Sequence, residues 1–222
     1  MDASFYFETL YPLQERVLAS INAPETQFYL SGGTAASRGY LNHRFSDDLD
    51  LFVDDDDRFA LWTARIIQEL STSERWRIQV LLREARFVRL VVWEGELALK
   101  VEFINDVPAR VGVVQPHPVL GRLDSAENIL ANKVTAALDR EEPKDLADIW
   151  GFCCKLGLSL PAALGGAQGK AAGVFAPDLA RVLCSATQAD WEQVRWITPP
   201  PAAQYLADLR RLGEGLLFDV TT

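Results

Sequence analysis

One short segment in the first quarter of the sequence constrains the fold most, because a glycine pair and a cluster of aspartates follow each other there between apolar runs. Residues 27–30 predict a short strand, and Gly32 and Gly33 after it predict a tight turn. Residues 34–41 favour a short helix, and residues 50–53 predict a second strand. Strand, turn, helix and strand in this order predict an α/β architecture.

The rest of the chain divides into a region of strands and a region of helices. Apolar residues at helical spacing predict helices near residues 8–21 and 59–70. Residues 76–104 are rich in β-branched and aromatic residues and predict three successive strands, after which prolines and glycines indicate a loop. The expected fold class is α/β (α+β), with a mixed β-sheet flanked by helices in residues 1–120 and a helical bundle in residues 121–222.

The composition indicates a cytoplasmic protein without a membrane partner. The first residues carry acids where a signal peptide needs basic residues, and no apolar run approaches the roughly 18 residues that span a bilayer. The net charge of −9 disfavours a broad basic surface for nucleic acid, although it permits a local basic groove. We expect Cys153, Cys154 and Cys184 to be small buried residues rather than metal ligands, because they lack metal-site spacing.

The glycines and aspartates of the constraining segment suit the two ends of one ligand. Gly32 and Gly33 allow the backbone to approach a phosphate closely, and the start of a helix favours negative charge. Asp48 and Asp50 are separated by one residue, so in an extended chain they project to the same side and can hold magnesium. The Walker A and dinucleotide-binding motifs are absent. The residues therefore predict a site for a nucleoside triphosphate.

The segments GGTAAS and HRFSDDLDLF resemble the nucleotidyltransferase fold of the DNA polymerase β superfamily, in particular the AbiEii/AbiGii-type toxin nucleotidyltransferases. From Arg44 to Phe52 the sequence matches the typical text of that family letter by letter. LKVEF, ENILANKVTAALDR and PKDLADI resemble further motifs of the family. The resemblance extends over residues 28–150 and leaves the rest of the C-terminal region uncovered.

The resemblance implies an enzyme that moves a nucleoside monophosphate from an NTP to an acceptor hydroxyl. Asp48, Asp50 and Glu102 are the implied catalytic acids and the ligands of two Mg²⁺ ions, which is the usual number in such sites. The implied nucleotide-binding residues are Gly32, Gly33, Thr34, Arg44, Ser46, Lys133, Asp145 and Asp148.

The same residues also have simpler interpretations. Lys133 is typical of a surface lysine, and Asp145 and Asp148 share a helix face from which they could position Lys133 or an acceptor hydroxyl. Arg44 could form a salt bridge with the aspartates after it, and Ser46 could be a turn residue.

The family resemblance implies a toxin of a toxin-antitoxin or abortive-infection system, with tRNA as the acceptor and a cognate antitoxin as a partner. Arginines in the strand region could bind phosphates, and neighbouring aromatic rings could stack on bases. These residues are Arg75, Arg77, Arg83, Arg86, Arg89, Trp76, Phe87 and Trp93. They could equally be the exposed side chains of an antiparallel sheet.

Two other functions fit parts of the sequence. A small polycationic acceptor such as an aminoglycoside would suit the net charge of −9 and the acidic run at 54–57. The related family more often has Asp at the position of Glu102, so a nucleotide-binding module without catalysis is the other alternative.

Overall fold

The computed structural model describes residues 3–218, which form two compact units. The sheet unit contains the described residues up to Ala35 together with Ser46–Pro108 and Val114–Asp124. The helical unit contains Ala36–Phe45, Ala109–Val113 and the described residues from Ser125 onward. The division at residue 120 into two domains stays a prediction.

The sheet unit is built on a mixed sheet. Its strands are β1 (Tyr29–Ser31), β2 (Leu49–Asp54), β3 (Arg77–Arg83), β4 (Phe87–Glu94), β5 (Leu97–Asp106), β6 (Gln115–His117) and β7 (Gly121–Leu123). Their order across the sheet is β3-β4-β5-β2-β1-β7-β6. Strands β2 and β5 are parallel, as are β1 and β7, whereas the other neighbours are antiparallel. The predicted mixed sheet and the three successive strands predicted in residues 76–104, which are β3, β4 and β5, are confirmed.

The alternation of residue types gives the sheet one apolar face and one polar face. In β5, Leu99, Val101 and Phe103 are fully buried, whereas Lys100 and Glu102 between them are partly exposed. Successive side chains of a strand point to opposite faces, so the apolar residues share one face and the charged residues the other. The same apolar face includes Leu49, Leu51, Val53, Val88, Leu90 and Val92.

Helices of the sheet unit contribute further buried apolar residues to its core. These helices are α1 (Tyr11–Asn22), which a π-helical segment (Phe5–Leu10) precedes, α2 (Gly32–Thr34) and α3 (Phe59–Leu70). The predicted helix at residues 59–70 is confirmed at both ends. The helix predicted to begin at Thr34 begins instead at Gly32 and continues as a π-helical segment.

The prediction of a loop after β5 is wrong in part, because β6 and β7 lie there. Each has only three residues, which is too short to show an alternation of residue types in the sequence. Leu30 of β1 pairs with Leu123 of β7, so the contact that defines β7 comes from a distant part of the chain. Pro116 lies in the edge strand β6, where a residue without a backbone N–H is tolerated.

The helical unit confirms the predicted C-terminal bundle. Its helices are α4 (Ala126–Arg140), α5 (Pro143–Trp150), α6 (Leu160–Gln168), α7 (Ala176–Cys184), α8 (Gln188–Gln193) and α9 (Ala202–Phe218), and a π-helical segment (Gly151–Lys155) follows α5. Ser125 caps α4 because its side chain accepts a hydrogen bond from the backbone N–H of Asn128. Trp150, Trp196 and Tyr205 pack edge to face in the core of this unit.

The cysteines meet the expectation of small buried residues only in part, because all three are intermediate in exposure. Cys153, Cys154 and Cys184 are free and partly buried. Burial raises the pKa of the Cys153 thiol to about 12, which suppresses its thiolate form at neutral pH. Within residues 3–218, every helix is too short or too polar to cross a membrane.

Candidate active site

The sheet places two of the predicted catalytic acids side by side. Asp50 of β2 and Glu102 of β5 are direct partners in the register of this parallel pair. Partner residues on neighbouring strands point to the same face of a sheet, here the polar face. Asp48 lies two residues before Asp50, just before β2 begins at Leu49. Acids from two distant parts of the sequence therefore lie on neighbouring strands, although their catalytic roles stay predictions.

Two basic side chains that the sequence did not assign to the site contact these acids. The Nζ atom of Lys100 lies 2.9 Å from Oδ2 of Asp48 and 3.4 Å from Oε1 of Glu102. Nε of Arg89 donates a hydrogen bond to Oε1 of Glu102 over 2.6 Å. Burial disfavours the charged form of Lys100, but the hydrogen bond to Asp48 and the nearby carboxylates outweigh burial and raise its pKa. Positive charge therefore already lies between two of the three acids.

Gly32 allows the turn after β1 to contact the Asp50 side chain. Its φ of +67° lies in the left-handed region, which side chains other than glycine rarely adopt. A Cβ atom at this position would overlap the carboxylate of Asp50. The backbone of the predicted phosphate-binding turn therefore lies directly against one of the acids.

Thr34 and Ser46 hold the loop that carries Asp48. The Thr34 hydroxyl forms hydrogen bonds with the Ser46 hydroxyl, 3.0 Å away, and with the backbone oxygen of Asp48. Nε2 of Gln14 donates to the backbone oxygens of Ser46 and Asp47. Both hydroxyl residues are buried, so these contacts support a role in positioning Asp48. The nucleotide contacts expected of Thr34 and Ser46 stay predictions.

Asp148 is the centre of a buried ion cluster in the helical unit. Nε and Nη2 of Arg44 each donate to one of its carboxylate oxygens over 2.7 Å. Nζ of Lys133 lies 2.7 Å from Oδ2 of Asp148, and Nε2 of His43 lies 3.0 Å from Oδ1. The two-pronged contact is the geometry in which a guanidinium binds a carboxylate most strongly. No pattern in the sequence indicates that His43 belongs to this cluster.

Asp145, the other aspartate of the segment PKDLADI, also contacts Lys133. Nζ of Lys133 lies 2.8 Å from Oδ1 of Asp145, which also accepts hydrogen bonds from Arg140. Asp145 is fully buried, and Lys133 exposes only 5% of its surface. Of the interpretations left open by the sequence, the arrangement supports the one in which Asp145 and Asp148 position Lys133.

Charge compensation keeps the cluster ionised despite its burial. Burial favours the neutral form of Asp148, but the charges of Arg44 and Lys133 outweigh it and hold its pKa well below the usual range. Burial opposes the charge of Lys133 too, yet Asp148 and Asp145 raise its pKa. The pKa of His43 is lowered, chiefly by burial, so its imidazole is neutral at pH 7.

The residues of the sheet unit have the chemistry to hold a cation, although no metal cluster is formed. Across residues 3–218, no three His, Cys, Asp or Glu side chains are grouped closely enough to hold a metal ion. The ammonium of Lys100 nevertheless lies between Asp48 and Glu102, which shows that a cation fits between them. Carboxylate oxygens are the ligands that magnesium prefers.

The arginines of the strand region divide into two groups. Arg86 pairs with Asp55 and donates to backbone oxygens at the end of β5, so it supports the sheet. The guanidinium of Arg77 lies over the ring of Trp93, with 4.8 Å to the centroid. Arg89 lies 5.2 Å from the ring centroid of Phe87 in the same way. Arg89 is the register partner of Glu102, so the Arg89–Phe87 pair lies on the polar face. Arg77 is the register partner of Trp93, which lies on the same face.

A family of known proteins matches more than half of this chain. The model of the family "Nucleotidyl transferase AbiEii toxin, Type IV TA system" matches residues 16–153. No curated protein matches the sequence.

Two solved structures share the fold over most of both chains. MenT4, a nucleotidyltransferase toxin from Mycobacterium tuberculosis, is 18% identical with a TM-score of 0.65, and the match covers 94% of this chain and 82% of that one. JHP933 from Helicobacter pylori is 19% identical with a TM-score of 0.63, over 99% and 94% of the two chains. At these identities the likeness shows the fold.

Proposed function

Because the chain belongs to the AbiEii family of nucleotidyltransferase toxins, we propose that it moves a nucleoside monophosphate from an NTP to an acceptor hydroxyl. The observation that carries this proposal is the pairing of Asp50 with Glu102 on neighbouring strands. Acids that must act on one phosphate have to lie together, and the register of β2 and β5 achieves this.

Magnesium is the proposed cofactor, with Asp48, Asp50 and Glu102 as its ligands. Bound there, two ions would neutralise charge on the triphosphate and acidify the acceptor hydroxyl. The protein contributes the oxygen donors and a fixed spacing between strands. Lys100 and Arg89 balance these acids in the structure described here.

The triphosphate is proposed to contact the turn at Gly32 and Gly33, and Lys133 stays a further proposed nucleotide-binding residue. The left-handed backbone at Gly32 supports the contact with the turn, since it leaves no side chain between the turn and Asp50. The proposal for Lys133 comes from the family resemblance; in the structure its ammonium contacts Asp145 and Asp148, and only 5% of its surface is exposed. Asp145 and Asp148 would then act on the nucleotide through Lys133, and Arg44 would act through Asp148.

The proposed acceptor is tRNA. The Arg77–Trp93 and Arg89–Phe87 pairs support it, because each combines a positive charge with an aromatic ring on the face of the sheet that carries Glu102. Unstacked RNA bases bind to such surfaces by stacking while the guanidinium contacts phosphate. A cognate antitoxin is proposed as a further partner, in keeping with the toxin-antitoxin family.

The test is transfer of label from a nucleotide in the presence of magnesium, with tRNA or an aminoglycoside as acceptor. Label on the α-phosphate should move to tRNA, whereas label on the γ-phosphate should leave with pyrophosphate. Asp50→Asn should abolish transfer, with a loss of at least about 1,000-fold, because the site loses a charge that holds the developing transition state. Asp54→Asn, also in β2, is the matched control and should retain transfer.

Transfer of the α-label to an aminoglycoside instead of tRNA would replace the proposed acceptor. Undiminished transfer by folded Asp50→Asn protein would refute the proposed site. Nucleotide binding without any transfer would leave the chain a binding module.

A further inference from the structure

Strand β3 has an open edge and two uncovered faces. It stands at one end of the strand order, and within residues 3–218 it pairs with β4 alone. Val80, Leu81 and Leu82 are consecutive and expose 41%, 52% and 39% of their surfaces. By the register, Val80 pairs with Leu90 on the apolar face and Leu82 pairs with Arg89 on the polar face, so apolar surface is open on both sides of this edge.

Such an edge normally carries features that prevent unwanted pairing. Proteins protect edge strands with charges and bulges, because a free row of N–H and C=O groups pairs readily with another chain. In β3 the register shifts between Val80 and Leu82, and arginines flank the apolar residues at positions 77 and 83. The apolar centre remains exposed between these features. A sheet edge of this kind fits a protein segment that adds as a new strand.

Arg77 and Arg83 at the ends of β3 determine which kind of partner fits this edge. If two copies of the chain paired antiparallel through β3 with Val80 at the centre, Arg77 and Arg83 would lie opposite each other at both ends. Like charges directly opposite each other destabilise a strand pair. Nucleic acid would gain little from Val80, Leu81 and Leu82, since aliphatic side chains neither stack on bases nor bind phosphate. A peptide with acidic ends and an apolar centre would pair with the arginines at the ends of β3 and cover the apolar residues between them.

We propose that β3 binds an extended segment of another protein, which is apolar in its centre and acidic at its ends and which adds to the sheet as a strand. The backbone of the segment would pair with the free edge of β3. Its acidic ends would contact Arg77 and Arg83, and its centre would cover Val80–Leu82. This proposal does not rest on the catalytic function.

The test uses a synthetic peptide of the length of β3, with glutamates at both ends and valine and threonine between them. Binding is measured by fluorescence anisotropy and by protection of the β3 amides from hydrogen exchange. Leu81→Glu should weaken binding at least about tenfold, which is 1.4 kcal/mol. Leu61→Glu is the matched control, because Leu61 in α3 is 50% exposed and should leave binding unchanged.

Charge and backbone are then tested separately. Arg83→Glu should weaken binding of the glutamate-ended peptide and strengthen binding of the same peptide with lysine ends. Methylation of the peptide nitrogens that face β3 should abolish binding, because it removes the donors of the added strand. Circular dichroism confirms that each variant is folded.

Three outcomes would overturn the proposal. One is equal binding by the methylated peptide, and another is the absence of β3 protection at millimolar peptide. The third is a dimer in which β3 is already protected without peptide, since a second copy would then occupy the edge.

Discussion

At the residue scale, Gly32 has the most restrictive surroundings of the site. Gly32→Ala should reduce transfer by at least about 100-fold, because the new Cβ displaces Asp50 and an oriented charge is lost from the site. The change also forces alanine into a left-handed conformation, which costs about 1 kcal/mol. Initial rates and urea unfolding measure the two effects separately.

Gly95→Ala provides the matched control for Gly32→Ala. Gly95 has a positive φ of +60°, but a Cβ there meets no atom within 4 Å. Gly95→Ala should therefore lose about the same stability and keep its activity. Equal activity of the two variants would show that the contact of the turn with Asp50 is not required.

Lys100 is expected to compete with magnesium for the acids. Lys100→Met removes the ammonium that contacts Asp48 and Glu102, so the site becomes more negative. Half-maximal transfer should then need about fivefold less magnesium, because opposite charges at short range favour binding. The measurement is the rate of transfer over a magnesium series.

Lys144→Met is the control for Lys100→Met, because Lys144 also pairs with a carboxylate, that of Glu142, outside the site. Its magnesium requirement should match that of the wild type. If Lys100→Met raised the NTP concentration needed for transfer without changing the magnesium requirement, Lys100 would instead bind the substrate.

At the element scale, the alternation of residue types predicted the polar face of β5, but it did not predict which residues of other strands lie beside it. Lys100 and Glu102 alternate with apolar residues, so the sequence indicates that they share a face. It does not contain the register that sets Glu102 beside Asp50, since pairing between distant strands is decided by the packing of the whole unit. The family resemblance supplied that part of the prediction.

Other features had no local signal at all. His43 and Asp148 are separated by 105 positions, so their contact depends on how the helical unit folds. Strand β7 is defined by a distant pairing, and the π-helical segments depend on backbone hydrogen bonds that residue types do not encode. Sequence patterns therefore predicted the long elements, whereas tertiary contacts decided which charged side chains pair with one another.

The Asp148 cluster joins α4 and α5 to the residues before β2, and it should contribute strongly to stability. Asp148→Asn leaves Arg44 and Lys133 buried without a full counter-charge. The loss should be about 3–5 kcal/mol in the free energy of unfolding, as for other broken buried ion pairs. Asp56→Asn is the control, because Arg58 in that pair is 60% exposed, and its loss should stay below about 1 kcal/mol.

The stability difference between wild type and Asp148→Asn should depend on pH in one direction. The pKa of Asp148 in the folded protein lies well below its ordinary value of 3.8. A lowered pKa stabilises the fold above 3.8, and the contribution is lost as the pH falls from there through the folded-state pKa. Urea unfolding between pH 7 and pH 3 should show a constant difference that shrinks only below about pH 4. A difference that shrinks near pH 6 would point to His43 instead.

At the scale of the whole molecule, a net charge of −9 must be reconciled with an RNA acceptor. A protein of this charge repels RNA at long range, so binding has to depend on a small positive surface near the acids. The Arg77–Trp93 pair provides charge and stacking in one place. Association should therefore be weak, and few phosphates should be neutralised.

The charge of Arg77 and the stacking of Trp93 contribute to tRNA binding in ways that a salt series can separate. Arg77→Gln should weaken tRNA binding and reduce the slope of log K against log salt by about 1, because one phosphate contact is lost. Trp93→Leu should weaken binding by about 1–3 kcal/mol without changing the slope, since stacking releases no counterions. Fluorescence titrations over a salt series measure both. Salt-independent binding by the wild type, or identical slopes for wild type and Arg77→Gln, would exclude this surface as the acceptor site and leave the other faces of the sheet unit to be tested.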